Sequence, residues 1–397
     1  MSESSAAETV HEIVTEAEKP RRSRRKTWLT LSLVAVVVAV AAFAAWEFLG
    51  RDRRSPEAVA RDDLHTAQVA LLNAPGAHYS GRYTEQSGKT WTLDLRVTNM
   101  GDASGTIEIA PGKLLSLLEV GGKAFLRGDR DTWIADGFND VDATAAAGRQ
   151  ILEPARFSGV DLAGTLTPGI LGSTLDPNDD KNAPVQVGAS EMVDDRRSAL
   201  IVSGTVATYV YSGQIDRIIM PNFDIKVAAM NSDDVVSFYR DQRPAVAALD
   251  DASDTETVIK TESSWSSVCG PTCSVLATLT STPHPFTSFT LPSGYTPPVN
   301  DILVAYQVGV TVDDVPVPTP DCTGVISMPG AGTGHLSCAF NTGSGSRASS
   351  DITVRAIVGR ARADELLHTF DDDTTKSHAK LRCPTTSTHG LVTTPGC

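Results

Sequence analysis

The chain has 397 residues, 41% of them hydrophobic and 21% charged, enough apolar material for two or three packed domains and too much for a wholly disordered polymer. Its net charge of −14 is unevenly placed: residues 1–54 hold nine Lys/Arg against seven Asp/Glu, so the rest of the chain is acidic. An acidic body excludes nucleic acid as a partner, because that needs a basic footprint, and argues against broad adhesion to anionic lipid headgroups.

In chain order, the polar segment 1–27 reads as a disordered cytoplasmic tail, with five glutamates in its first 20 residues. Trp28 to Leu49 is a run of 22 residues whose only charge is Glu47. As a helix it spans about 33 Å, enough for a bilayer core. Arg21, Arg22, Arg24, Arg25 and Lys26 precede it, and Arg51, Arg53 and Arg54 follow. The excess of cations before the run places the N-terminus in the cytoplasm and the bulk outside it, as a single-pass membrane protein. A cleaved signal peptide is the alternative, with small residues at Ala41–Ala45; the long apolar run and long preceding tail favour a retained anchor.

Ser55-Pro56-Glu57 opens a helix, and Asn73-Ala74-Pro75-Gly76 ends it. The period then changes to two. Trp91, Leu93, Leu95 and Val97 alternate with Thr90, Thr92, Asp94, Arg96 and Thr98, a strand with one apolar and one wet face. Ile107 and Ile109 share a face of the next strand, and Gly121-Gly122 marks a hairpin. Residues 77–134 therefore read as an antiparallel meander with one covered face. Helices are expected at Asp142–Leu152, Pro168–Leu175 and Ser232–Leu249, with strands at Ala199–Val202, Thr205–Tyr211, Asp216–Met220 and Phe223–Ala229. Residues 55–250 are thus an α+β domain.

The acidic stretch 251–262 is expected as a linker. Beyond it, Ile302, Val304, Tyr306, Val308, Val310 and Val312 alternate, as do Ile352, Val354, Ala356 and Val358. Residues 263–373 read as an all-β sandwich, with 374–397 a C-terminal tail. All six cysteines, Cys269, Cys273, Cys322, Cys338, Cys383 and Cys397, follow the apolar run. An even count on one side of an anchor points to disulfides in an oxidising compartment. Proximity favours Cys269–Cys273, Cys322–Cys338 and Cys383–Cys397. Zinc is the rival reading, but Cys269-Gly-Pro-Thr-Cys273 lacks a second ligand pair.

Tyr79-Ser80-Gly81, Thr92–Thr98, Gly105-Thr106-Ile107, Val120–Leu126 and Trp133, with Leu162–Leu175 further on, resemble the LolA-like lipoprotein carriers of actinobacterial cell envelopes, the LppX/LprG group. The resemblance covers about 55–250. It implies a curved antiparallel half-barrel backed by helices, with acylated lipids or glycolipids held between sheet and helices. Trp91, Leu93, Leu95, Val97, Ile107 and Ile109 are the cavity candidates it implies; the competing reading is that they are ordinary core. The transmembrane helix departs from the family's usual lipid anchor. The segment starting Cys269-Gly-Pro-Thr-Cys273-Ser-Val is similar to Ig-like modules appended to such carriers.

The sequence holds no H-E-x-x-H and no G-x-S-x-G. Gly88-Lys89-Thr90 imitates a P-loop end, but Tyr83 occupies the position of its first glycine. Asp176 to Asn182 imitates an EF-hand, with Lys181 where glycine is required. Asp371-Asp372-Asp373 reads as a solvated acidic run, and the histidines, His78, His284 and His335 among them, as surface residues. No catalysis, cofactor or metal is expected. The expected function is a membrane-tethered binder or carrier of a hydrophobic envelope ligand, working by acyl-chain burial. The alternative is an envelope adaptor that recognises a protein partner through its β domain.

Overall fold

The computed structural model describes residues 55–382 except 86, 153–161, 177–183, 256, 266–271, 284–300, 313–314, 318–321 and 342–347. The expected tail 1–27, the anchor Trp28–Leu49, Cys269, Cys383 and Cys397 lie outside the described residues. No helix among the described residues is long and apolar enough to cross a membrane.

Helix α1 (Pro56–Leu72) starts on Pro56, whose fixed φ suits the first turn, and buries Ala60, Leu64, Ala67 and Leu71. Strands β1 (Gly76–Thr84), β2 (Thr90–Thr98), β3 (Ala103–Ala110), β4 (Lys113–Val120) and β5 (Lys123–Arg127) follow as an antiparallel meander. Helices α2 (Arg130–Ala135) and α3 (Asp140–Ala146) are capped by Asp129 and Asn139, whose side chains accept backbone N–H bonds. The helix expected to reach Leu152 stops at Ala146 because Gly148 takes a positive φ, and Ile151–Leu152 becomes β6, paired with β5. Helices α4 (Leu162–Leu166) and α5 (Pro168–Thr174) come next.

Strands β7 (Val185–Val187), β8 (Glu191–Val193), β9 (Arg196–Ser203), β10 (Val206–Tyr211), β11 (Gln214–Met220) and β12 (Phe223–Met230) return along the other side of β1. The sheet runs β9-β10-β11-β12-β1-β2-β3-β4-β5-β6, with β7 and β8 on the outer edge of β9. Two glycines let strands close tightly. A Cβ on Gly81 would stand 2.2 Å from the Asp224 carbonyl oxygen, and one on Gly105 would stand 2.0 Å from that of Asp94.

Helix α6 (Ser232–Ala247) opens on a capping box: Asn231 Oδ1 accepts from Asp233 and Asp234 N–H, and Asp234 Oδ2 accepts from Asn231 N–H. The expected linker is ordered instead. A 3₁₀ turn at Leu249–Asp251 leads into β13 (Ser253–Asp254), which pairs with β6, and β14 (Thr257–Trp265) follows. The stretch is acidic, but Arg149 pairs with Asp251 at 3.3 Å and Arg362 with Asp254 at 2.8 Å, while Arg355 also meets Asp251. Neutralised in this way, the segment has no reason to stay extended in water.

The second β region comprises β15 (Thr272–Pro283), β16 (Asp301–Val312), β17 (Val315–Val317), β18 (Thr323–Pro329), β19 (Gly332–Asn341) and β20 (Ala348–Ile357). Strands β14, β15 and β19 make one sheet; β17, β18 and β20 all pair with β16 in the other. Val275, Leu279, Val304, Val308, Leu336 and Phe340 fill a core between the sheets. Cys322 and Cys338 are disulfide-bonded, Cα atoms 5.3 Å apart, and tie β19 to the start of β18 across this core. Cys273 is disulfide-bonded too.

The last difference from expectation is the largest. Residues Thr374–Arg382 are not a tail but the second half of α7 (Gly359–Arg382). Ala363, Leu366, Phe370, Asp373 and Ser377 form a helical stripe that buries against α6 and the sheet. Asp371 of the expected solvated acidic run accepts a bidentate pair from Arg243 at 2.8 Å, and Asp373 is buried beside Lys376. The mixed α+β chain from Pro56 onward is a single unit by its contacts.

Candidate functional site

The sheet has two covered faces, and they differ. On the inner face, odd-numbered β1 and β2 residues such as Tyr79, Leu93, Leu95 and Val97 pack with α1–α5 in one apolar cluster. On the outer face, Leu118, Val120, Phe125 and Leu152 pack under α6 and α7. The wet face expected on β2 is therefore only partly wet: Thr98 is fully buried, and Arg96 is half-buried.

All six sequence-derived candidates, Trp91, Leu93, Leu95, Val97, Ile107 and Ile109, lie on the inner face and are buried in that single cluster. The structure brings them together as packed side chains. None of them lines the cleft that opens beside them.

That cleft, of about 400 Å³, lies where the last turns of α1 meet β11 and β12. Ala67, Ala70, Leu71, Ala74, Ile215 and Val227 supply most of its apolar wall. Ala67, Leu71, Ile215 and Val227 also belong to the inner cluster, so wall and core are continuous. Small alanines on successive turns leave the space: each presents one methyl where Leu or Phe would fill the gap.

The mouth of the cleft is charged. Asp216 is 2% exposed yet accepts from Arg196 Nη2 at 2.7 Å and from Ser198 Oγ at 2.5 Å. The pairing is what permits a carboxylate in so apolar a place. Arg196 also lies 5.8 Å from the Tyr211 ring centroid, and its outward side is open to solvent.

Several polar atoms of the inner face are buried without a hydrogen bond among the described residues, among them Gln68 Oε1, next in chain to wall residue Ala67, Tyr79 Oη and Trp133 Nε1. Tyr79 stands in register with wall residue Val227. Burial alone pushes its hydroxyl far up from the usual phenol value, so it serves as a neutral donor. Sequence patterning missed Gln68, Tyr79, Arg196 and Asp216. The available signal was a polar residue breaking an apolar stripe, as Gln68 does between Ala67 and Leu71 on α1.

Among the described residues, no group of three or more His, Cys, Asp or Glu is placed to hold a metal ion. The ion-pair cluster of Asp224 with Arg217 and Arg82 bridges neighbouring strands, and Arg217 holds the Asp224 carboxyl below its usual range, with Arg82 adding to this. Its geometry is that of a strand-to-strand clamp.

No family model matches the chain, and no curated protein matches it. Among solved structures it is similar to LprF from Mycobacterium bovis, at 12% identity over 44% of this chain and 93% of that one, with a TM-score of 0.30. It is also similar to MucB, at 11% identity over 79% and 98% of the two chains, with a TM-score of 0.24. A third similarity is to the MucA/MucB complex from Pseudomonas aeruginosa, at 13% identity over 78% and 96%, with a TM-score of 0.23. Similarities this loose leave the functional argument to the geometry of the chain itself.

Proposed function

We propose that this chain is a non-catalytic binding protein whose cleft under α1 takes an amphiphile: an apolar chain with a polar or anionic head. One observation carries this reading. An apolar wall of Ala67, Ala70, Leu71, Ile215 and Val227 opens to solvent, is continuous with the inner core, and carries Arg196 at its mouth. Each methylene laid on the alanine wall contributes about 0.8 kcal/mol. A volume of about 400 Å³ lies in the ordinary range of ligand sites. The exposed side of Arg196 at the mouth suits an anionic head.

The long antiparallel sheet with helices on its inner face supports reading residues 55–250 as a LolA-like half-barrel, and hence an acylated lipid or glycolipid as the ligand. The two-sheet core of the second β region supports an Ig-like module. The Cys322–Cys338 disulfide supports an oxidising, extracytoplasmic setting. With Trp28–Leu49 as a retained anchor, the protein presents or hands over its ligand at the membrane and does not shuttle freely.

The adaptor reading is favoured by a separate feature. Val315 on β17 and Val325 on β18 are exposed large apolar residues on strands that pair with β16.

Displacement of a fluorescent fatty acid tests the first reading on the full chain. Wild type binds the probe, and Ala70→Trp, which fills the cleft from an exposed helix position, loses it. Equal binding by both overturns the assignment.

A further inference from the structure

A second cleft, of about 380 Å³, lies on the opposite face of the sheet, under the first turns of α6. It is built by strand register. Ala228, His78, Arg96, Ser104, Leu118 and Phe125 are successive partners across β12, β1, β2, β3, β4 and β5. Registered partners share a face, so past Ala228 this row is polar through His78, Arg96 and Ser104 and apolar at Leu118 and Phe125. The apolar end is sealed by α6 and α7. The polar end stays open and forms the cleft floor.

Most polar groups around this cleft are already engaged. His78 Nε2 and Asp94 Oδ1 are 2.6 Å apart. Asp234 is held by the backbone of Asn231, and Ser237 by Asp241 and Arg240. Two groups keep unused hydrogen-bonding capacity. Ser104 Oγ is buried with no hydrogen-bond partner in a residue 4% exposed. Arg96 makes no ion pair among the described residues, although Asp241 is near enough to feel its charge; its guanidinium lies 5.7 Å from the ring centroid of buried Phe238. That ring orients the guanidinium plane and contributes no charge to neutralise it.

We propose that this outer cleft is a second binding site, for a small ligand bearing a carboxylate or phosphate, gripped by Arg96 and the Ser104 hydroxyl. A guanidinium presents paired donors that match two oxygens of such a group, and Ser104 donates to a third contact. His78, kept in place by Asp94, flanks the same position. The cleft opens on the other face of the sheet from the amphiphile site, with Arg96 on one face and Leu95 and Val97 on the other, and the two clefts adjoin at the end of β12, where both are lined by Ala228, Ala229 and Met230.

Isothermal titration of the full chain with inorganic phosphate and with succinate, at matched ionic strength, tests the site. Saturable binding of at least one probe is expected, and the two arms tell phosphate from carboxylate. Arg96→Met keeps the stem over Phe238 and removes the charge, and it abolishes binding. Ser104→Ala adds no atom and weakens binding roughly tenfold. Saturation by neither probe, or binding at wild-type strength in both variants, overturns the proposal. If Arg96→Met fails to fold, the Ser104→Ala titration decides alone.

Discussion

Asp102 is the residue whose replacement should change stability most sharply with pH. It sits in the turn before β3, 1% exposed, where α6 and α7 close over the sheet. Burial raises its pKa to about 7, and the charge of Asp373 on α7 adds to the rise. Hydrogen bonds from Tyr239 Oη, at 3.0 Å, and from the Gly121 backbone only partly offset this. The unfolded chain binds this proton only below about 4, so between about 4 and 7 the folded state holds a proton that the unfolded state does not. Stability therefore falls as pH rises through that window. A rise of about 3 units corresponds to a deficit on the order of 4 kcal/mol above pH 7. Asp102→Asn keeps an oxygen acceptor for Tyr239 and cannot ionise. Chemical denaturation at pH 5 and pH 8 reads the effect: the gain of the variant on wild type at pH 5 is about a third of its gain at pH 8. A difference between the two proteins that does not depend on pH would refute the reasoning.

Three further outcomes follow from packing. Phe370→Ala should cost about 3–5 kcal/mol in denaturant unfolding, because its ring is fully buried and lies 5.1 Å from that of Tyr239. Replacing Cys322 and Cys338 together by alanine opens a loop with a sequence separation of 16 and should lower stability by about 3 kcal/mol, with reductant no longer affecting this bond. Gly105→Ala drives a Cβ to 2.0 Å from the Asp94 carbonyl oxygen, and a loss of about 1–3 kcal/mol should appear as a lowered melting temperature.

Much of the sheet was legible because alternation is a local signal. Trp91, Leu93, Leu95 and Val97 declare a half-buried strand with no knowledge of their partners, and β2 spans Thr90–Thr98. Ser232 likewise marks the start of α6, where Asn231 supplies the cap. What stayed hidden depends on distant residues. The stretch 251–262 is acidic and reads as solvated until Arg149, Arg355 and Arg362 arrive from elsewhere in the chain. Helix α7 hides in the same way. Its stripe is apolar only at Ala363, Leu366 and Phe370, then continues through Asp373 and Ser377, which are buried by α6 and the turn before β3. Deleting 263–397 to isolate the first domain would strip α7 from Leu118, Val120 and Phe125, so point substitutions are the cleaner probe.

The candidate site was legible in part for the same reason. The six apolar candidates share the inner face, as their period requires, and their neighbours decide that they are packed. The open volume arises one helix away, from the alanines of α1, and no strand pattern reveals how far a helix stands off a sheet.

The central claim is an amphiphile in the cleft under α1, and native mass spectrometry of the full chain purified from its native cells tests it most directly. An added mass of an acyl-bearing lipid, present on wild type and absent from a folded Ala70→Trp variant, is the predicted result. A bare polypeptide mass for wild type, or the same lipid retained by the variant, would contradict it.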